Sequence, residues 1–139
     1  MANVIYQEIG GHVLAITDFD LKYNDGEDEY IFGGKHSLRD IAFVSTRRLI
    51  QQPLPNKNEY ELLVERTVKE ALHEEGHNLG LRHHYTWQKA KGGEYCPMTK
   101  GDFNKYGEIA YIRAVIDARG FRFCDECNEH LQRTCVRNV

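Results

Sequence analysis

His73-Glu74-Glu75-Gly76-His77-Asn78-Leu79-Gly80-Leu81-Arg82-His83, residues 73–83, is the stretch on which the reading of this chain turns. Residues four apart share a helix face, so His73 and His77 present both imidazoles to one ion. Zinc–nitrogen bonds of about 2.0–2.1 Å suit that pair with little strain. Glu74 is turned about 100° around the axis from His73, so its carboxylate reaches a water at the ion without ligating the ion itself. Gly80 suits the left-handed conformation that stops a helix, and the reversed chain can return His83 as a third ligand. Three protein ligands leave a fourth position open, as in catalytic rather than structural zinc sites. A lone His-x-x-x-His is common on exposed helix faces; Glu74, Gly80 and His83 at fixed offsets are what point to a metal. The chemistry these residues support is hydrolysis: zinc lowers the pKa of its bound water toward about 7, and Glu74 takes the proton and hands it to the leaving amine.

Working outward, the motif closes the longest helical pattern in the chain, NEYELLVERTVKEALHEEGHNLG, residues 58–80. Asn58 is its expected N-cap, with Glu61 three residues on as in a capping box. Tyr60, Leu63, Val64, Thr67, Val68, Ala71 and Leu72 recur at spacings of three and four, which predicts that this face packs inward. A connector with Pro53 and Pro55 precedes the helix. Before it, His12–Thr17 reads as a buried strand and Tyr30–Phe32 as a short strand ending in a Gly33-Gly34 turn. Ile41–Ser45 reads as a further strand. The polar stretch Asp18–Glu29, with Asn24-Asp25-Gly26, reads as a solvated turn. Downstream, Lys91-Gly92-Gly93 reads as a loop tip. Ile109, Ile112, Val115 and Ile116 give a final helix over 108–118, with Gly120 after it. The chain is expected to be one domain, 1–139, with the sheet and long helix in 1–80 and the metal-rich remainder in 81–139.

Composition narrows the function classes. The 139 residues carry a net charge of −3, which argues against a general nucleic-acid or anionic-membrane binder. No apolar run approaches the roughly 20 residues that span a bilayer. The first twenty residues show neither a basic leader nor a long apolar core, so a cytoplasmic location is expected, as a monomer. All four cysteines, Cys96, Cys124, Cys127 and Cys135, fall in the last third, two of them as Cys-x-x-Cys. In a reducing setting that pattern favours metal over a disulfide framework.

HEEGHNLGLRH matches the metzincin signature His-Glu-x-x-His-x-x-Gly-x-x-His, and the chain resembles the archaemetzincin (archaelysin) peptidases in particular. Cys96-Pro97-Met98 and Cys124-Asp125-Glu126-Cys127 fall where that family places a Cys-x-Met and a later Cys-x-x-Cys. The phrases HVLAITDFDL, YIFGG, IAFVSTRRL and FCDECNEHL are similar as well, so the likeness covers most of the chain. The resemblance implies an α+β metzincin-like zincin: a small mixed, twisted sheet with an active-site helix, then an irregular C-terminal part with a Met-turn, a helix and a structural zinc site. It implies zinc-dependent cleavage of peptide or protein substrates and two zinc ions per chain. His73, His77 and His83 would hold the catalytic ion, with Met98 as the Met-turn beneath it. Where the family usually has a cysteine after the third histidine, this chain has His84. A second site of His84, Cys96, Cys124 and Cys127 is chemically reasonable, with Cys135 or His130 as substitutes for His84. Eleven residues separate His84 from Cys96 and 25 separate Met98 from Cys124, which suggests two loop insertions. Little precedes the HVLAIT strand, so the family's first strand and helix would be absent or abbreviated.

Smaller expectations complete the reading. Tyr85, Trp87 and Tyr95 would pack the first insertion, and residues 30–34 could pair with an extended substrate. Two other functions are open: a non-catalytic zinc-stabilised binding module, and a thiol-redox protein using Cys124 and Cys127.

Overall fold

The computed structural model describes residues 11–22, 30–36, 38–101 and 103–137, with 103, 104, 108 and 135–137 given by backbone alone. The Asn24-Asp25-Gly26 turn lies outside the described residues. The architecture is mixed α+β. A three-stranded sheet has the order β1 (Val13–Thr17), β5 (Ile41–Ser45), β4 (Gly33–Lys35), and β2 (Leu21–Lys22) pairs with β3 (Tyr30–Ile31). β5 runs parallel to β1 and antiparallel to β4. The long helix α1 (Glu59–Asn78) lies against β4 and β5. After it come α2 (Phe103–Tyr111), a π-helical turn (Ile112–Ile116) and α3 (Asp125–Arg137).

β5 is central and buried because Ile41, Ala42 and Val44 meet neighbours on both faces. β1 is not the buried strand its composition suggests. Among the described residues it is an edge, with Val13 buried but Ile16 56% exposed. Gly33-Gly34 is a second departure, forming strand rather than turn. The cause is steric: a Cβ on Gly33 would stand 2.7 Å from Glu74 Cγ and from the Phe43 carbonyl. Only glycine lets β4 lie so close to the helix.

The expected apolar face of α1 turns inward only in part: Leu63 and Ala71 pack against the main core, but the rest of that face is more open. Tyr60 is 75% exposed, with Val64 and Val68 at 44% and 42%. Leu62, Arg66, Lys69, Glu70, His73 and Glu74 are buried instead. The polar groups are admitted because they are satisfied. Arg66 uses all five N–H donors, to both Asp117 carboxylate oxygens and to the carbonyls of Leu49, Gln51 and Gln52, at 2.7–2.9 Å. That clamp fixes the connector, whose Gln52 sits at a φ of 64°. Lys69 donates to the Asp117 carbonyl at 2.9 Å. Both tie α1 to the end of the π-helical turn, whose Ile112, Val115 and Ile116 join Phe32, Val44 and Leu49 in the main core.

The helix ends as expected. Asn58 accepts from the Tyr60 and Glu61 amides. At the other end, Gly80 has a φ of 85°, and Leu81 N–H bonds to Gly76 O at 2.9 Å and Gly80 N–H to His77 O at 3.0 Å. That paired arrangement satisfies the last carbonyls and turns the chain back toward the helix. Residues 88–96 form a tight hairpin-like loop tipped by Gly92 and Gly93, with Trp87 edge-on to Tyr95. α3 was not legible as a helix. It is polar, and what packs it inward is Cys124, Cys127 and Leu131 in a second core with Leu81, Cys96 and Met98.

Candidate active site

α1 carries His73 and His77 on its inner side, and the reversal at Gly80 brings His83 back to them. The His83 Nε2 lies 3.2 Å from that of His73 and 2.9 Å from that of His77. The other ring nitrogens decide what this means. His73 Nδ1–H donates to the Pro97 carbonyl at 2.8 Å, and His77 Nδ1–H to the Leu81 carbonyl at 2.9 Å. With the proton held at Nδ1, each Nε2 offers a bare lone pair. Burial lowers the pKa of all three rings, with His83 brought down to about 4, which favours neutral imidazoles. Ring nitrogens this close share either a ring proton or a cation. Tetrahedral zinc would set two nitrogens about 3.3 Å apart, so the donor set fits that ion.

The carbonyls that hold the rings come from irregular segments. Cys96-Pro97-Met98-Thr99 makes a turn closed by Thr99 N–H to Cys96 O at 3.0 Å. Met98 is fully buried, and its sulfur fills the space over Gly76, where any Cβ would collide with it. Arg119, 2% exposed, secures this turn. It donates to the Thr99 carbonyl at 2.9 Å and pairs with Glu70 at 2.7 Å.

Glu74 is buried on α1 beside His73, with Gly33 of β4 against it. Burial, reinforced by the Glu70 charge, raises its pKa to about 8, while Arg119 and Lys100 oppose the shift. A divalent cation among the three neutral imidazoles would lower it again, since an opposite charge favours the carboxylate.

His84, the residue after His83, belongs to a second group. Its Nε2 is 3.1 Å from Cys127 Sγ and 3.3 Å from Cys124 Sγ, and Cys96 Sγ is 3.8 Å from Cys127 Sγ. Zinc–sulfur bonds of about 2.3 Å predict sulfurs about 3.8 Å apart, so a four-ligand Cys3His zinc site fits. Hydrogen bonding with Cys127 brings the Cys96 thiol down to about 5, and the same pairing pushes Cys127 up. His130 is outside this group, near Gly80, and the Cys135 side chain is outside the described residues. These are the two potential metal-holding groups among the described residues.

Tyr85 was expected in the loop packing, yet its ring meets His83 edge-on with centroids 5.9 Å apart. The Pro97 and Leu81 carbonyls, Arg119, Lys35 and Lys100 were missed by sequence reasoning. The carbonyls carry no sequence signal, and lone cations outside a motif carry little. Among the described residues, no helix is long and apolar enough to cross a membrane.

A mixed α+β chain with a three-histidine group and a four-ligand Cys3His group has the donor sets of a two-metal protein, and comparison with known proteins narrows this. The family model of Peptidase family M54 matches residues 2–91, and the chain belongs to that family. It is 39% identical over 127 residues to the archaemetzincin of Pyrococcus furiosus, covering 90% of this chain and 56% of that protein. The crystal structure of the Methanopyrus kandleri archaemetzincin superposes with a TM-score of 0.64 at 29% identity, covering 99% of this chain and 66% of that one. A zinc-dependent peptidase from Methanocorpusculum labreanum superposes with a TM-score of 0.63 at 26% identity, over 91% of this chain and 57% of that one. The chain spans about half the length of the curated relatives it matches.

Proposed function

We propose that the chain is a zinc-dependent peptidase acting on peptide or protein substrates, with Glu74 as general base and acid. In this reading His73, His77 and His83 hold the catalytic ion. His84, Cys96, Cys124 and Cys127 hold a structural one, and Met98 is the Met-turn. Residues 1–80 supply the sheet and helix that form one wall of the cleft, and 81–139 the other. The observation that carries it is the convergence of three imidazoles beside a buried carboxylate, with the Nε2 of His73 and His77 left bare by their Nδ1–H bonds. A zinc ion there supplies Lewis acidity, polarising a carbonyl and acidifying a nearby water.

The remaining steps belong to the chain's own groups. Glu74 receives the proton of the attacking water on a carboxylate oxygen and delivers it to the departing amide nitrogen. The Pro97 and Leu81 carbonyls hold His73 and His77 in the tautomer that binds metal. β4, the edge of its sheet beside Glu74, offers backbone groups to an extended peptide.

The test compares native chain with Glu74→Gln, both loaded with zinc. Metal analysis should find two zinc ions in each, while cleavage of an internally quenched peptide library falls by about 10²–10⁴-fold in the variant. Undiminished cleavage by Glu74→Gln overturns the assignment.

A further inference from the structure

We infer that this site takes peptides bearing a carboxylate next to the scissile bond, held by the ammonium groups of Lys35 and Lys100. The inference deepens the peptidase reading and rests on it. The two lysines reach the site from different elements. On β4, Lys35 is two residues from Gly33, so both project from the same strand face. A Cβ on Gly33 would point at Glu74 Cγ, so that face is the one turned toward the active-site helix. Lys35 itself is exposed at the end of that strand.

Lys100 follows the Cys96–Thr99 turn, and its N–H bonds to the His84 carbonyl at 2.9 Å, one residue from His83. It is half-buried.

What separates these two cations from the others near α1 is that they lack partners. Arg66 pairs with Asp117, Lys69 with Glu65, and Arg119 with Glu70. Among the described residues neither Lys35 nor Lys100 forms an ion pair. The carboxylate between them and the histidines, Glu74, is buried and committed to proton transfer. A chain with a net charge of −3 thus leaves the charges of Lys35 and Lys100 unpaired beside its three histidines. Such a field concentrates anionic substrates and disfavours cationic ones. The substrate carboxylate has two possible sources, an Asp or Glu side chain or a free C-terminus, and the chemistry is the same for both.

The experiment uses matched peptides with Glu, Gln or Lys flanking the scissile bond, each with a free or an amidated C-terminus. The readouts are kcat/KM with the zinc-loaded native chain and Kd by calorimetry with zinc-loaded Glu74→Gln. Carboxylate-bearing peptides should be favoured over neutral ones by roughly tenfold in both, with lysine peptides poorest. The double variant Lys35→Gln/Lys100→Gln should bring the ratio near one, and single Lys100→Glu should reverse it. A preference that follows the Glu side chain, or one that follows the free C-terminus, supports the inference and identifies the source. Cleavage with no carboxylate preference, or a preference that survives the double variant, overturns it and leaves the peptidase reading standing. Carboxylate-selective binding without turnover of any peptide does the reverse.

Discussion

His83 and His84 are neighbours in the chain, yet they join donor groups of opposite character. The three-histidine group is half-open: His73 is buried, but His77 and His83 are partly exposed, and it supplies three ligand atoms. The Cys3His group supplies four, with Cys96, Cys124 and Cys127 at 0–3% exposure. Ligand number separates what such groups can do. Four protein ligands close a tetrahedral ion and leave it only a structural task, whereas three leave a position for water or substrate. Their supports differ too. His73 and His77 are aimed by carbonyls, while the cysteines sit in a small apolar core with Leu81 and Met98. A single peptide step thus joins a half-open group of three ligands to a closed group of four.

If this contrast is right, its largest consequence is for stability. Cys124→Ser should release one zinc equivalent and cost more than about 4 kcal/mol, the range for a lost metal site. Hydrogen exchange should show α3 opening first, because its packing is mostly that group. Protection unchanged in 125–137 would break the contrast.

Gly76→Ala probes the floor of the histidine group. An alanine in a helix interior normally gains up to about 1 kcal/mol over glycine. Here its Cβ collides with the Met98 sulfur, so we expect a loss of about 1–3 kcal/mol by urea unfolding. Stabilisation would show that the turn yields freely.

His83→Asn should release the other zinc equivalent and abolish cleavage. In the metal-free chain it should cost only about 1 kcal/mol, since the ring is half-exposed. A loss as large as that of Cys124→Ser would erase the distinction between the groups.

The smallest effect concerns pH. In the metal-free chain Glu74 keeps its proton up to about 8, against an ordinary 4.5. Its burial therefore carries no ionisation penalty below that ordinary value, and the penalty grows as pH rises through the interval. Glu74→Gln, which cannot ionise, should stabilise the metal-free chain more at pH 9 than at pH 5. Equal effects at both would show that the carboxylate is not desolvated.

Much of this site could be read before any coordinates. The offsets among His73, Glu74, His77, Gly80 and His83 are short-range, and helix periodicity with one left-handed glycine nearly dictates their geometry. Asn58 as N-cap and the position of β5 are equally local. The face of α1 was not. Tyr60, Val64 and Val68 are apolar and periodic, yet they lie outward because Arg66, Lys69 and Glu70 found partners in Asp117 and Arg119 about fifty residues away. No local pattern reports such a partnership.

The strand at Gly33-Gly34 was misread for a related reason. The glycines serve a close approach to a helix forty residues on, not a turn of their own. α3 went unread because cysteines, rather than an apolar stripe, dock it. The amino-acid order by itself settled which ligand types the chain owns and how His73, His77 and His83 can meet, because a helix and one reversal span them. Only the tertiary structure decided which carbonyls fix their tautomers, which charges are neutralised and which are left to face a substrate. Those depend on long-range packing, where burial forces every polar group to find a partner or stay exposed.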